Sequence, residues 1–221
     1  MLKKQIDEAF SSGADYIEIR FDFLKLSDIK QALSITAKVK TKSIFTLRSS
    51  EQRGKFKGSA SDQIFWLKKL SAAKPMLLDV ELDTIKGNDD FAYYIKKHKN
   101  RILVSWHDYE KTPTYEELLD IIGKMRIYSN YIKLVTTANN AQDALRLLDL
   151  YDDALGFNLI AFAMGDAGVI SRILCTIFGN APFTFATLNK ALAPGQLTIK
   201  QMRKLYDRID ISSYRVHEKP N

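Results

Sequence analysis

Short runs of β-branched and other apolar residues alternate with longer segments of helical periodicity along almost the whole chain. This alternation is typical of an α/β domain built on a parallel sheet. It predicts seven strand-helix units preceded by an extra helix. The predicted strands cover residues 16–22, 43–48, 75–82, 101–107, 131–135, 158–164 and 183–187. The predicted helices cover residues 2–12, 27–39, 60–72, 89–98, 114–127, 140–151, 168–178 and 198–209.

Seven units with an extra leading helix fit a (β/α)8 TIM-type barrel whose first strand is missing or replaced. The competing architecture is a doubly wound open sheet, which alternates strands and helices in the same way. We expect a single barrel domain over residues 1–221, in which residues 210–221 form a C-terminal tail. The strand-like run at residues 211–216 is our candidate for the place of the first strand.

Charged residues occupy every second position of two predicted strands. Alternation puts three of them on one face of the first predicted strand, namely Glu18, Arg20 and Asp22. It puts three on one face of the third predicted strand, namely Asp79, Glu81 and Asp83. Both faces of a parallel sheet are normally covered, and buried charges are costly unless they are paired. These residues therefore predict a polar network, a binding site or both.

Four further functional side chains, Arg48, His107, Lys133 and Met164, lie towards the carboxyl ends of predicted strands. Barrels and open α/β sheets alike have their active sites there. A lone lysine in a short strand is more often an edge residue, and a lone histidine is more often a packing residue. Paired on adjacent strands, Lys133 and His107 instead indicate a Schiff-base nucleophile and a general base.

The charge balance favours an anionic partner. The 33 Lys and Arg residues exceed the 26 Asp and Glu residues, which gives a formal net charge of +7 at pH 7. Such a balance attracts polyanions, but the basic residues are spread along the chain and do not form one cluster. We therefore expect a solvated basic surface and a small anionic substrate, with no nucleic-acid or membrane partner.

The single cysteine, Cys175, excludes an intramolecular disulfide and a thiolate metal site. The longest mostly apolar stretch, residues 154–164, is shorter than the about 18 residues that a membrane span needs. The first residues, MLKKQIDEAF, lack the pattern of a signal peptide. We therefore expect a cytoplasmic location.

The segment MGDAGVISR, residues 164–172, lacks the G-x-G-x-x-G spacing of a dinucleotide loop, so we expect no nucleotide cofactor. Its small residues precede a predicted helix whose N-terminus favours an anion, and Arg172 can clamp a carboxylate with two donors. The later loop ALAPGQ resembles a rigid lid that carries Gln196, although Pro194 and Gly195 also fit an ordinary turn.

Six motifs follow one another in the chain, namely EIRFD (18–22), TLR (46–48), SWHD (105–108), IK (132–133), MGDAGVISR (164–172) and APGQ (193–196). In this order and spacing they resemble the motifs of type I 3-dehydroquinate dehydratases of the shikimate pathway. The resemblance covers most of the chain.

The resemblance implies a (β/α)8 barrel, a homodimer and the dehydration of 3-dehydroquinate to 3-dehydroshikimate through an imine, without a metal or cofactor. Lys133 would attack the C3 ketone. His107 would take the C2 proton and then help the C1 hydroxyl to leave. Arg172 and Gln196 would hold the substrate carboxylate. The other implied substrate contacts are Glu18, Arg20 and Arg48 on the ring hydroxyls and Met164 against the ring.

Three features depart from the family pattern. The glutamate that orients the histidine is replaced by Gln52, so the candidates for histidine support are Glu51, Gln52 or water. A serine that contributes to carboxylate binding is replaced by Leu192, which we expect to weaken substrate binding about fivefold. The third departure is the missing first strand.

Two other functions remain open from the sequence. A class I aldolase or transaldolase also uses a lysine imine on a barrel, but it needs a phosphate site. A basic barrel without catalytic activity would bind nucleic acid or a partner in a salt-sensitive way and show no turnover.

Overall fold

The computed structural model describes residues 1–189 and 193–209, which form two compact units. The first unit consists of Met1–His107 and Ile121–Lys133. The second consists of Asp108–Asp120 and the described residues from Leu134 onward. The candidate replacement strand at residues 211–216 and the position of Leu192 lie outside the described residues. The single barrel domain over the whole chain stays a prediction.

The strands and helices alternate as the sequence predicts, which confirms the α/β class. The strands are β1 (Ile17–Arg20), β2 (Ser43–Thr46), β3 (Leu77–Glu81), β4 (Ile102–His107), β5 (Tyr131–Thr137) and β6 (Asn158–Met164). The helices are α1 (Leu2–Ser11), α2 (Ile29–Thr36), α3 (Ala60–Ala72), α4 (Leu82–Lys86), α5 (Asp89–Lys97), α6 (Tyr115–Arg126), α7 (Ala141–Asp149), α8 (Val169–Leu174) and α9 (Ile199–Tyr206).

In the first unit, β1 to β4 and then residues 131–133 of β5 are neighbours in chain order. The register of the parallel pairs puts Arg20 opposite Thr46, and Thr46 opposite Asp79. It also puts Glu81 opposite Ser105. Polar side chains from four neighbouring strands are thus collected near the strand ends. The strands follow one another across the sheet in chain order. A doubly wound sheet would instead require a point at which the strand order reverses.

Apolar burial holds the first unit together. Its largest fully buried side chains are Phe21, Phe45, Phe91, Ile29, Ile44, Leu67, Leu70, Leu77, Leu78, Ile85 and Leu103. Helix α3 begins at a capping box in which Ser59 accepts from the amide of Asp62, and the Asp62 carboxylate accepts from the amide of Ser59. Asn88 caps α5 by accepting from the amide of Phe91 at 2.7 Å. Local sequence thus sets where these two helices begin.

In the second unit, β6 neighbours the end of β5 and is held by side chains that bond to its backbone. The Tyr151 hydroxyl accepts from the amide of Ala161 at 2.7 Å and donates to its carbonyl at 3.0 Å. The Ser171 hydroxyl accepts from the amide of Ala163 at 2.9 Å. A Cβ on Gly168 would lie 2.6 Å from the Ala163 carbonyl oxygen, so only glycine lets the chain approach β6 this closely.

The prediction of a seventh strand at residues 183–187 is wrong. The Phe185 carbonyl accepts from Nη1 of Arg172 at 3.2 Å, so it is bound to a side chain. Thr187 donates its amide to the Leu197 carbonyl at 2.9 Å and makes one isolated bridge. Among the described residues the sheet therefore has six strands.

Two charged residues leave the predicted strand faces because the strands end earlier. β1 ends at Arg20, and Asp22 lies in a short 3₁₀ helix. β3 ends at Glu81 and is followed directly by α4, in which Asp83 is exposed. This helix was not predicted. None of the helices in the part of the chain that the structure describes is both long and apolar enough to cross a bilayer.

Candidate active site

The carboxylate of Asp79, on β3, lies at the centre of a buried polar cluster. Its Oδ1 accepts from Nη2 of Arg48 at 2.8 Å and from the Ser105 hydroxyl at 2.7 Å. Its Oδ2 accepts from Nζ of Lys133 at 3.3 Å. Burial opposes ionisation, but the positive charges of Arg48 and Lys133 outweigh it and hold the pKa of Asp79 below its ordinary value.

The amino group of Lys133 lies between carboxylates from two other strands. Besides Asp79, Oε1 of Glu18 lies 3.7 Å from Nζ. Glu18 is held in place by the Thr46 hydroxyl, which donates to Oε1 at 2.8 Å. The Lys133 side chain is 8 % exposed, and that of Glu18 is 21 % exposed. The lysine side chain is therefore buried, and its nitrogen is ion-paired with two carboxylates of the first unit.

Arg20, at the end of β1, pairs with the acidic residue that follows it. Its Nε and Nη2 donate to the two oxygens of Asp22 at 2.8 and 2.7 Å. The amide of Lys55 donates to the same carboxylate at 3.0 Å. The guanidinium lies 4.9 Å from the centre of the Phe23 ring. With 23 % of its side chain exposed, Arg20 can reach a ligand more easily than Arg48, at 6 %.

Glu81 fixes the loop that follows β2. Its Oε1 accepts from the Ser49 amide at 2.9 Å, and its Oε2 accepts from the Ser49 hydroxyl at 2.9 Å. Nη1 of Arg48 lies 3.5 Å from Oε1. The Gln63 amide group and the Thr84 hydroxyl each donate to Oε2 at 3.3 Å. This second network holds Arg48 in its buried position.

The same loop turns back onto Arg48 through a glycine. The amide of Gly54 donates to the Ser49 carbonyl at 2.7 Å, and the Phe56 amide donates to the Arg48 carbonyl at 3.2 Å. A Cβ on Gly54 would lie 2.1 Å from the Arg48 carbonyl oxygen. The close return of the chain beside Arg48 therefore requires glycine.

His107 ends β4 two positions after Ser105 and is half-buried. Burial and then the positive charges of Arg48, Lys133 and Arg20 lower the pKa of His107 well below 6.5. The imidazole is therefore neutral at pH 7, which is the form that a general base requires.

The two candidates for histidine support lie in the turn after Arg48. Glu51 is exposed, and Gln52 is half-buried. The Gln52 amide donates to the Ser49 carbonyl and hydroxyl, both at 3.2 Å. This turn is thus fixed by the same serine that Glu81 holds. The support of His107 by Glu51, by Gln52 or by water stays a prediction.

In the second unit, Met164 ends β6 and is 7 % exposed. The next residue, Gly165, has φ 82° and donates its amide to the Pro194 carbonyl at 3.2 Å. Gly195 has φ 71°, and a Cβ there would lie 2.5 Å from the Gly165 carbonyl oxygen. The loop that carries half-buried Gln196 is thereby held against the turn after Met164.

Arg172 is the fourth residue of α8 and is 2 % exposed. Its guanidinium carbon lies 4.2 Å from the centre of the Phe162 ring, and Nη1 donates to the Phe185 carbonyl at 3.2 Å. Nε is buried without a hydrogen-bond partner among the described residues. Burial lowers the pKa of Arg172 to about 10, so the side chain stays charged at pH 7.

The structure brings five predicted residues together in the first unit: Glu18, Arg20, Arg48, His107 and Lys133. Met164, Arg172 and Gln196 belong to the second unit. The sequence reasoning missed Ser105, although alternation places it on the same face as His107. It also missed Gln63, whose place in a helix gives no signal of a role in the network.

Cys175, the single cysteine, is buried. Burial raises the pKa of Cys175 to about 11, so its thiol is neutral at pH 7. In the ranges that the structure describes, no group of three His, Cys, Asp or Glu residues is arranged to hold a metal ion.

Comparison with known proteins identifies the family. The model of the family described as Type I 3-dehydroquinase matches residues 1–213. A 3-dehydroquinate dehydratase of Methanococcus maripaludis is 34% identical over 205 residues, which cover 92% of this chain and 91% of the relative. One from Desulfotalea psychrophila is 33% identical over 201 residues, which cover 89% of this chain and 88% of the relative.

Solved structures agree with these relatives. The type I 3-dehydroquinate dehydratase of Clostridium difficile, solved with covalently modified comenic acid, has a TM-score of 0.81 and 26% identity, covering 92% of this chain and 85% of its own. The Aquifex aeolicus 3-dehydroquinate dehydratase has a TM-score of 0.80 and 27% identity, covering 94% and 93%. These structures confirm the predicted TIM-barrel fold class. The chain belongs to the type I 3-dehydroquinase family and is an enzyme of this lyase class, as its six motifs indicated.

Proposed function

We propose that this chain dehydrates 3-dehydroquinate to 3-dehydroshikimate through an imine formed by Lys133. The observation that carries the proposal is the combination of a buried lysine with a neighbouring histidine whose pKa is lowered by burial and then by the charges of Arg48, Lys133 and Arg20. An aldolase needs a phosphate site as well, and the family assignment favours the dehydratase.

Lys133 supplies the electron sink of the reaction. Its neutral amine attacks the C3 ketone, and loss of water leaves an iminium at C3. The iminium draws electrons away from the neighbouring C2–H bond, so that the C2 proton becomes acidic enough to remove. Hydrolysis of the product iminium with one water restores the ammonium and releases the ketone.

His107 moves the protons at C2 and C1. The neutral imidazole takes the C2 proton, and the electron pair of the C–H bond moves into the iminium to form an enamine. The imidazolium then gives that proton to the C1 hydroxyl, which leaves as water while the enamine electrons form the new double bond. Because the lowered pKa keeps His107 neutral at pH 7, the resting enzyme is ready for the first step.

The remaining predicted residues bind the substrate. Arg172 is a charged, buried donor, and we assign it with Gln196 to the substrate carboxylate. Glu18, Arg20 and Arg48 are assigned to the ring hydroxyls, and Met164 to the face of the ring. The arginines and Gln196 would donate hydrogen bonds to the substrate, and the Glu18 carboxylate would accept one, so that the reacting atoms are held in place for attack.

Two parts of the proposal concern this chain more than its family. Glu51, Gln52 or water takes the place of the supporting glutamate, and Leu192 replaces a serine of the carboxylate site. We also propose a homodimer in the cytoplasm, for which light scattering after size exclusion and fractionation of cells are the tests.

Turnover is measured by the ultraviolet absorbance of the conjugated enone after 3-dehydroquinate is added. The wild-type chain should form enone, and Lys133→Ala should lower kcat by at least about a thousandfold. The matched control is Lys30→Ala, which removes an exposed lysine of α2 and should retain turnover. Absence of enone with the folded wild-type chain would contradict the proposed function.

A further inference from the structure

The carboxylate of Asp79 is buried and ionised beside the reacting lysine, and the proposed reaction gives it no role. Its side chain is 1 % exposed, and Oδ2 lies 3.3 Å from Nζ of Lys133. The other oxygen is occupied by Arg48 and Ser105 at 2.8 and 2.7 Å. The carboxylate is therefore fixed in orientation, with one oxygen directed at the nitrogen that reacts.

Imine formation conserves the charge on this nitrogen. The ammonium R–NH3+ and the ketone O=C give the iminium R–NH+=C and one water. One ammonium proton passes to water before the attack, and one returns to the carbinolamine hydroxyl, which then departs as water, so no other reactant is consumed. The nitrogen carries one positive charge before and after the reaction, and Oδ2 of Asp79 is next to both forms.

We propose that Asp79 is a positioning residue that holds Nζ of Lys133 and stabilises the positive charge that returns to this nitrogen when the neutral carbinolamine loses water and becomes the iminium. This inference rests on the proposed function and deepens it. A fixed carboxylate in a site of low dielectric stabilises a charge without the reorganisation that water would need.

Glu18 is the other carboxylate beside Lys133, but it fits this role less well. Its oxygen is farther from Nζ, at 3.7 Å, and its side chain is 21 % exposed. Water screens a charge at that exposure more effectively than at the 1 % exposure of Asp79. The lowered pKa of Asp79 agrees with a carboxylate that stays ionised through the cycle.

The test measures the rate of imine formation and not turnover. The proposed role concerns the positive charge of the iminium, and the enamine that forms later in the cycle carries no charge on Nζ. The chain is mixed with 3-dehydroquinate, quenched with borohydride at increasing times, and the trapped adduct is read by intact mass. We expect Asp79→Asn to form adduct at least about tenfold more slowly than the wild-type chain. The matched control, Asp83→Asn, makes the same change at an exposed site of α4 and should equal the wild type.

A second variant separates the charge from the structure. Ser105→Ala removes hydrogen bonds to Asp79 and Arg48 but leaves the carboxylate beside Nζ. We expect it to form adduct within about threefold of the wild-type rate. Equal slowing in Ser105→Ala and Asp79→Asn would overturn the inference, because loss of the network alone would then explain the effect.

The trapping experiment distinguishes a failure of the inference about Asp79 from a failure of the proposed function. No adduct in the wild-type chain overturns the proposed function, whereas a wild-type rate in Asp79→Asn overturns the inference alone. If Asp79→Asn does not fold, infrared difference spectra of the wild-type chain with ¹³C-labelled aspartate serve instead. We expect no protonated aspartate band after trapping, and such a band would overturn the inference.

Discussion

Nη2 of Arg48 lies 2.8 Å from Oδ1 of Asp79, and the two side chains are only 6 % and 1 % exposed. The pair joins the loop after β2 to β3 and lies beside Lys133, on the other oxygen of the same carboxylate. Removing one member of such a buried pair leaves the other charge without its compensation. Stability and chemistry are therefore coupled at this point of the fold.

Replacing Arg48 tests that coupling. Arg48→Ala should lower the free energy of unfolding by about 3–5 kcal/mol, because Asp79 and Glu81 lose a buried cation. Urea unfolding followed by circular dichroism measures the change. The exposed Arg208→Ala is the control and should change stability by less than about 0.5 kcal/mol. Equal effects of the two substitutions would contradict the buried network.

The stability of the folded chain should depend on pH through His107. Its pKa in the folded chain is below 6.5, so the folded chain binds fewer protons than the unfolded chain as the pH falls below that value. The stability contributed by neutral His107 is therefore present above pH 6.5 and is lost as the pH falls through the folded pKa.

An NMR titration of the His107 ring proton measures this pKa, with His107→Asn to assign the signal. We expect a midpoint well below 6.5 in the wild-type chain and a shift upward in Arg20→Gln, which removes one repelling cation. Arg208→Gln, at an exposed site, should leave the midpoint unchanged. A wild-type midpoint at or above 6.5 would show that burial and the cations do not control this imidazole.

A glycine controls the position of Arg48. Gly54→Ala should lower the free energy of unfolding by about 1–3 kcal/mol and reduce kcat, because the new Cβ meets the Arg48 carbonyl oxygen at 2.1 Å. Gly123→Ala, in α6, has no atom within 4 Å of its Cβ and should raise stability by about 0.5–1 kcal/mol. Unfolding and turnover of both variants are compared. Unchanged turnover in Gly54→Ala would count against the role of this turn.

The loop that carries Gln196 depends on Gly195. Gly195→Ala introduces a Cβ 2.5 Å from the Gly165 carbonyl oxygen and should raise KM by about tenfold. Gly156→Ala has a similar positive φ, 80°, but open space around its Cβ. Both variants should lose about 1–2 kcal/mol of stability, and only Gly195→Ala should change KM. A raised KM in both would assign the effect to general destabilisation.

Alternation along the strands predicted the polar faces where the strands persist. Arg20 and Glu81 lie in strands as predicted, at the last positions of β1 and β3, but these strands end earlier than predicted, so Asp22 and Asp83 leave those faces. Periodicity defines which side a residue occupies while a strand continues, whereas the backbone hydrogen bonds of the next element decide where the strand ends.

Contacts between distant segments could not be predicted from the pattern. Nζ of Lys133 and Oδ2 of Asp79 are 54 positions apart in the chain, and only the strand order and register bring them to 3.3 Å. The segment at 183–187 has the composition of a strand, yet the buried Arg172 binds its backbone instead. Tertiary contacts therefore override local propensity at that segment.

Borohydride trapping with peptide mapping tests the central claim that Lys133 forms the imine. The wild-type chain and Lys133→Ala are each incubated with 3-dehydroquinate and borohydride, and the modified peptide is identified by mass spectrometry. We predict that the wild-type chain gains the mass of the reduced adduct on Lys133, and that Lys133→Ala gains none. Equal labelling of the two chains, or labelling at another lysine, would contradict the assignment of Lys133 as the nucleophile.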